Sequence, residues 1–190
     1  MQTVDVSKRS GNPGRGAGLE RALSLDALAE QSYAWLETLY KASPCAKSIR
    51  AVDGTPKGRM LAVRFASALP IGSFLRTFAG SPYFVWDGKT FTSASDEEGA
   101  GINRVQIPGA LGKQNLFPFK THFGPSAIDG ARALILDYDL PENPPWIRKI
   151  HDEVREASPG LFFGPAMWKG AKERVTVLWF ALDTRDRAAR

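Results

Sequence analysis

Short runs of β-branched and aromatic residues, each cut off by a Gly or Pro turn, fill this chain from Arg59 to Leu182. Residues 59–65, 102–107, 116–123, 131–138, 161–168 and 174–182 read as strands. Successive residues of an extended chain face opposite sides, and these runs either alternate or stay apolar throughout. Two more runs, 83–86 and 89–92, flank Asp87-Gly88, a dipeptide that favours the positive φ of a tight hairpin turn. Ile128 to Ala131 and Lys169 to Lys172 read as further turns. About seven or eight short strands joined by tight turns predict a mainly β (α+β) protein built on an antiparallel barrel or strongly curved sheet.

Helical periodicity is concentrated ahead of the strands. Leu25, Leu28, Trp35, Leu36 and Leu39 recur at helical spacing, Ser24 can cap the first turn, and Pro44 marks the stop. One N-terminal amphipathic helix is expected there, laid against a sheet or across a barrel mouth. A second, short helix fits Pro70 to Gly80, and residues 146–156 fit a helix or an irregular strand. Met1 to Gly18 is polar and Gly-rich without apolar periodicity, as in a disordered tail. The expected organisation is a tail over 1–18, one domain over 19–183, and a C-terminal tail over 184–190.

The whole chain is 190 residues with a net charge of +5. The N-terminal 21 residues carry Lys8, Arg9, Arg15 and Arg21 against Asp5 and Glu20, and the final eight carry three basic groups against two acidic. The remaining body is nearly balanced and has no interleaved basic and aromatic pattern, so no nucleic-acid binding is expected of the folded domain. No stretch reaches the roughly 18 apolar residues of a membrane span, and no secretory-type segment opens the chain. A cytoplasmic protein without membrane attachment is expected. The single cysteine, Cys45, precludes an internal disulfide. A homodimer is left open.

The stretch from Gly130 to Met167 places many ionisable groups beside apolar runs. Burying a charge without a partner is costly, so these groups either pair with one another or serve a site. His151, Asp137 and Asp152 are the catalytic candidates: a histidine beside a carboxylate can move a proton. Arg148 or Lys120 could hold a polar or anionic end, and His122 lies in an aromatic strand. The simpler reading makes these residues ion pairs at the rim, each worth at most about 1 kcal/mol. His122, His151 and Cys45 are too scattered for zinc, and no metal is expected. Neither a nucleophile elbow, a P-loop nor a dinucleotide fingerprint is present in the sequence, and no cofactor is expected.

Several segments, in order, resemble a family of small bacterial proteins known by a Gly-x-Trp-x-Gly (GXWXG) motif. They are Gly54-Thr55-Pro56-Lys57-Gly58, Trp86 to Phe91, Tyr138-Asp139 followed by Pro145 and Arg148, Phe163 to Met167, and Trp179 to Leu182. Pro56 stands where the motif has its tryptophan. The resemblance implies a lipocalin-like antiparallel β-barrel that binds a small apolar or aromatic molecule, with a polar rim for an acidic or oxygenated end. Trp86, Lys120, His122, Tyr138, Arg148, Phe163, Met167 and Trp179 are the candidate ligand-binding residues. A cofactor-independent isomerase, cyclase or hydratase using His151 with Asp137 or Asp152 in the same cavity is the alternative, as is a barrel filled by its own side chains.

Overall fold

In a computed structural model, which describes residues 23–63, 85–107 and 111–185, eight antiparallel strands close into a barrel in simple sequential order. The strands are β1 (Lys57–Val63), β2 (Val85–Ser93), β3 (Glu98–Ile107), β4 (Gly112–Pro125), β5 (Arg132–Asp137), β6 (Ile150–Ser158), β7 (Leu161–Lys169) and β8 (Arg174–Asp183). Closure removes the free edges that an open sheet would expose, with β1 hydrogen-bonded to both β2 and β8. The fold is mainly β, a barrel of the lipocalin-like kind with helical structure at its N-terminus. The Met1–Gly18 tail, the Pro70 helix and the end of the 184–190 tail lie outside the described residues.

The N-terminal helix is divided into α1 (Leu25–Ala29) and α2 (Tyr33–Ala42). Ser24 and Ser32 each cap one of them by accepting a backbone N–H three residues on. Leu25, Leu28, Leu36 and Tyr40 pack against Leu161, Phe163, Trp179 and Ala181. These strand residues point outward, so the helices cover the outer wall of the barrel and do not plug its mouth.

Alternation sends the other half of each strand inward. At the end where β2 runs into β3, Phe91, Phe119, Leu134, Val154, Phe162 and Leu182 fill the lumen, with Ile49 and Val52 from a 3₁₀ turn packed into the same cluster. Gly164 lets the walls meet closely, because a Cβ there would lie 1.7 Å from the carbonyl oxygen of Glu153.

Two expectations are corrected. Asp87-Gly88 does not turn the chain. It is a bulge within continuous β2, between the pairs Trp86↔Val105 and Gly88↔Arg104. Gly88 has φ 128°, and a Cβ there would lie 2.5 Å from the Pro56 carbonyl oxygen, so the glycine serves close packing of β1 on β2. Residues 146–156 form a 3₁₀ turn at Ile147–Lys149 and then strand β6. Neighbouring residues of β6 consequently face opposite sides of the wall, which decides the fate of the proposed catalytic group.

A buried polar cluster in the barrel cavity

The opposite half of the barrel, where β1 ends and β2 begins, is not filled. A cavity of about 90 Å³ lies there, lined by Met60, Trp86, Phe117, Ile147, Ile150, Ala166, Val177, Leu178 and Phe180, together with Lys89, Asn103, Tyr138 and Asp152. Backbone irregularities surround it. The register shifts between Trp86 and Gly88, between Ile102 and Asn103 opposite Phe117, between Met60 and Val63, and between Ala166 and Met167 opposite Val177. Each bulge adds a residue to one strand and bends it. Phe117, in the left-handed region at φ 60°, is one such added residue. A non-glycine residue in that region is held there by its surroundings at some cost, as is common beside binding sites.

The first bulge also sets which residues of β2 face in. Lys89 alternates with Phe91 on the inner face, and the bulge brings Trp86 to that face as well. Lys89 is 3% exposed. Its Nζ donates to Asn103 Oδ1 at 2.7 Å, Tyr138 Oη at 2.6 Å and Asp152 Oδ2 at 3.0 Å. The rings of Trp86, Phe119, Tyr138 and Phe180 stand 5.1–5.4 Å from the same nitrogen, within range of cation–π attraction. Burial pulls the Lys89 ammonium below its ordinary pKa, and the Asp152 carboxylate opposes that shift. Burial, then the Asp152 charge, push the Tyr138 phenol well above its ordinary value, so it stays a neutral donor.

Around the lysine the other groups are paired in turn. Tyr138 Oη donates to Asp152 Oδ2 at 3.0 Å. Asn103 Nδ2 donates to the Phe117 carbonyl and to Tyr138 Oη, and its Oδ1 also accepts from Trp86 Nε1 at 3.2 Å. The Phe117 bulge therefore supplies a carbonyl that orients the asparagine. Asp152 Oδ1 is buried and has no hydrogen-bond partner.

The residues named from sequence divide between the two faces of the wall. Asp152, Tyr138 and Trp86 line the cavity. His151 and Asp137 are paired across β5 and β6 and sit on the outer face, so the acid–base group drawn from His151, Asp137 and Asp152 does not share one cavity. His151 Nε2 lies 2.9 Å from Glu153 Oε1, and Asp137 accepts from Lys169 at 3.0 Å. Phe163 and Trp179 are buried beneath the helices, and Met167, next to Ala166 on β7, faces outward too. Arg148 pairs with Asp139 at the surface. Lys120 and His122 line a separate outer groove with Thr92, Glu98 and Thr121.

Lys89 and Asn103, which complete the inner cluster, were not singled out by sequence. The signal that could have found Lys89 is its place two residues before the apolar Phe91 on an alternating strand. Among the described residues no group of three His, Cys, Asp or Glu could hold a metal ion, and no helix is long and apolar enough to cross a membrane.

No family model matches the chain, and no curated protein matches it. A crystal structure of a protein from Thermomonospora curvata is similar over 81% of this chain and 88% of its own, at 17% sequence identity and a TM-score of 0.49.

Proposed function

We propose that the protein binds a small apolar or aromatic molecule inside the barrel. The carrying observation is the cavity itself: an apolar lining interrupted by one compact set of buried polar side chains. Ligand sites combine apolar walls with a few fixed polar groups in this way, the walls supplying affinity and the polar groups orientation. Size limits the guest. A cavity of about 150 Å³ takes a benzene ring, so about 90 Å³ encloses about four heavy atoms, a very small molecule or the polar head of a larger one such as a ring compound. The resemblance of its motifs to those of the GXWXG barrel proteins supports the same reading.

Native mass spectrometry of the purified protein, before and after denaturation, tests this. A small molecule released on unfolding, or a rise in melting temperature with small apolar compounds, supports it. No adduct and no thermal shift across such a set would overturn it. Ala166→Leu, which fills the cavity with three more carbons, is expected to abolish binding while changing stability by less than about 1.5 kcal/mol.

A further inference from the structure

Resting on the proposal that the cavity binds a ligand, a count of donors and acceptors in the inner cluster narrows what that ligand can be. Lys89 has three N–H donors, and all three are used, on Asn103, Tyr138 and Asp152. Asn103 has two donors and two acceptor positions; the donors go to Phe117 and Tyr138, and the acceptors take Lys89 and Trp86. Tyr138 Oη accepts from Lys89 and Asn103 and gives its one proton to Asp152. Trp86 spends its only donor on Asn103. Asp152 Oδ2 accepts twice. Against this inventory, one polar atom stands unpaired: Asp152 Oδ1.

Charge narrows the choice further. The Lys89–Asp152 ion pair is internally neutral, with both side chains 4% exposed. An anionic guest would find no free donor and would add an uncompensated negative charge to an apolar site. A cationic guest could donate to Asp152 but would leave the site with a net positive charge. Burying unbalanced charge is strongly unfavourable in either case. A guest that only accepts hydrogen bonds would leave Asp152 Oδ1 unpaired, which costs about 1–3 kcal/mol.

We infer that the ligand is a neutral hydroxyl compound, an alcohol or a phenol, whose O–H donates to the buried Asp152 Oδ1 as the carboxylate turns slightly toward the cavity, while its carbon skeleton lies among Trp86, Phe117, Val177 and Phe180. The lysine acts in this site by fixing the carboxylate in place through its 3.0 Å bond to Oδ2; it does not contact the ligand.

Calorimetric titration of the full chain with five probes of similar size tests the inference: phenol, fluorobenzene, benzaldehyde, benzoate and benzylammonium. Phenol is expected to bind at least tenfold more tightly than each of the others. Equal binding of fluorobenzene or benzaldehyde would overturn the hydroxyl assignment and leave the apolar-ligand proposal standing. Tightest binding by benzoate or benzylammonium would overturn it in favour of a charged ligand. Failure of all five would count against both proposals.

Asp152→Asn supplies an independent arm. Lys89 and Tyr138 both donate to one side of this side chain, so the amide oxygen must face them and its NH₂ takes the position of Oδ1. The open acceptor becomes an open donor. The variant is expected to lose its preference for phenol and to gain affinity for benzaldehyde. An unchanged preference for phenol would show that Asp152 does not contact the ligand. Should the variant fail to fold, the five-probe series on the natural chain decides alone.

Discussion

Strand β6 presents a buried polar group to each side of the barrel wall, and the two are built differently. Outside, Glu153 is fully buried, and both its oxygens are occupied: Oε1 accepts from the Ala127 amide at 2.7 Å and lies 2.9 Å from His151, and Oε2 accepts from Tyr40 at 2.9 Å. Arg155, two residues on, clamps both oxygens of Asp129 and donates to the carbonyls of Tyr40, Ala131 and Arg132. These bonds tie helix α2 and the turn before β5 to the wall. Inside, one residue out of phase, Asp152 carries two bonds on one oxygen and none on the other. A completed network has nothing left to offer a ligand, whereas one with a single unpaired acceptor, in a side chain that lines a cavity, does. The outer group is therefore read as a fastening and the inner one as a site.

Lys89→Met should have the largest effect, a loss of about 4 kcal/mol, because it leaves a buried carboxylate without its counter-charge. Chemical denaturation would measure it. Lys89→Met combined with Asp152→Leu should recover most of that loss, since an apolar pair of similar volume often replaces a buried ion pair at little cost. A double variant no more stable than the single one would show that the pair is needed for folding beyond its own charge balance.

Arg155→Ala on the outer side should cost about 3 kcal/mol, less than the inner change because Asp129 is one-fifth exposed and can turn to water. Affinity for cavity ligands should be retained in whatever fraction folds. Loss of ligand selectivity in this variant would erase the division between the two groups.

Glu153→Gln should cost about 2 kcal/mol, since an amide cannot accept from every donor that surrounds the carboxylate. It should also change the acid response. Burial raises the pKa of Glu153, but the hydrogen bonds from His151, Ala127, Ser126 and Tyr40 together outweigh it, and the group sits below its ordinary 4.5. A carboxylate with a depressed folded-state pKa contributes stability fully above the ordinary value, and that contribution fades as pH falls through the lower one. Stability should therefore drop below about pH 4.5 in the natural chain and drop less steeply in Glu153→Gln. Asp129, held low chiefly by its Arg155 bonds, should account for part of the slope that remains.

The smallest effect on binding is expected from His151→Ala. The ring touches the outer carboxylate and not the cavity, so affinity for a cavity ligand should change by less than twofold in calorimetry. A tenfold loss would return His151 to the site from which its position on the strand removes it.

Local chemistry made much of the architecture legible. Alternation, the Ile128–Ala131 turn and the Lys169–Lys172 turn placed β5, β7 and β8, and the Ser24 cap placed the start of the helical segment, whose division at the Ser32 cap the periodicity does not show. The same local chemistry misread Asp87-Gly88, because a glycine with positive φ suits a hairpin turn and a bulge equally, and only the pairing of β2 with β3 on both sides distinguishes them. His151 and Asp152 are adjacent in sequence, which suggests one group. On a strand, adjacency means opposite faces.

What the sequence determined by itself was therefore the class of fold: a chain of short alternating segments with tight turns has few ways to satisfy its backbone other than an antiparallel, closed sheet. Tertiary structure decided where the charges went. Whether Lys89 meets water or Asp152, whether Trp179 faces the lumen or the helices, and which carboxylate oxygen stays open all depend on register between strands distant in sequence. Register is set by the bulges and by closure of the whole barrel, so no window of local residues contains it.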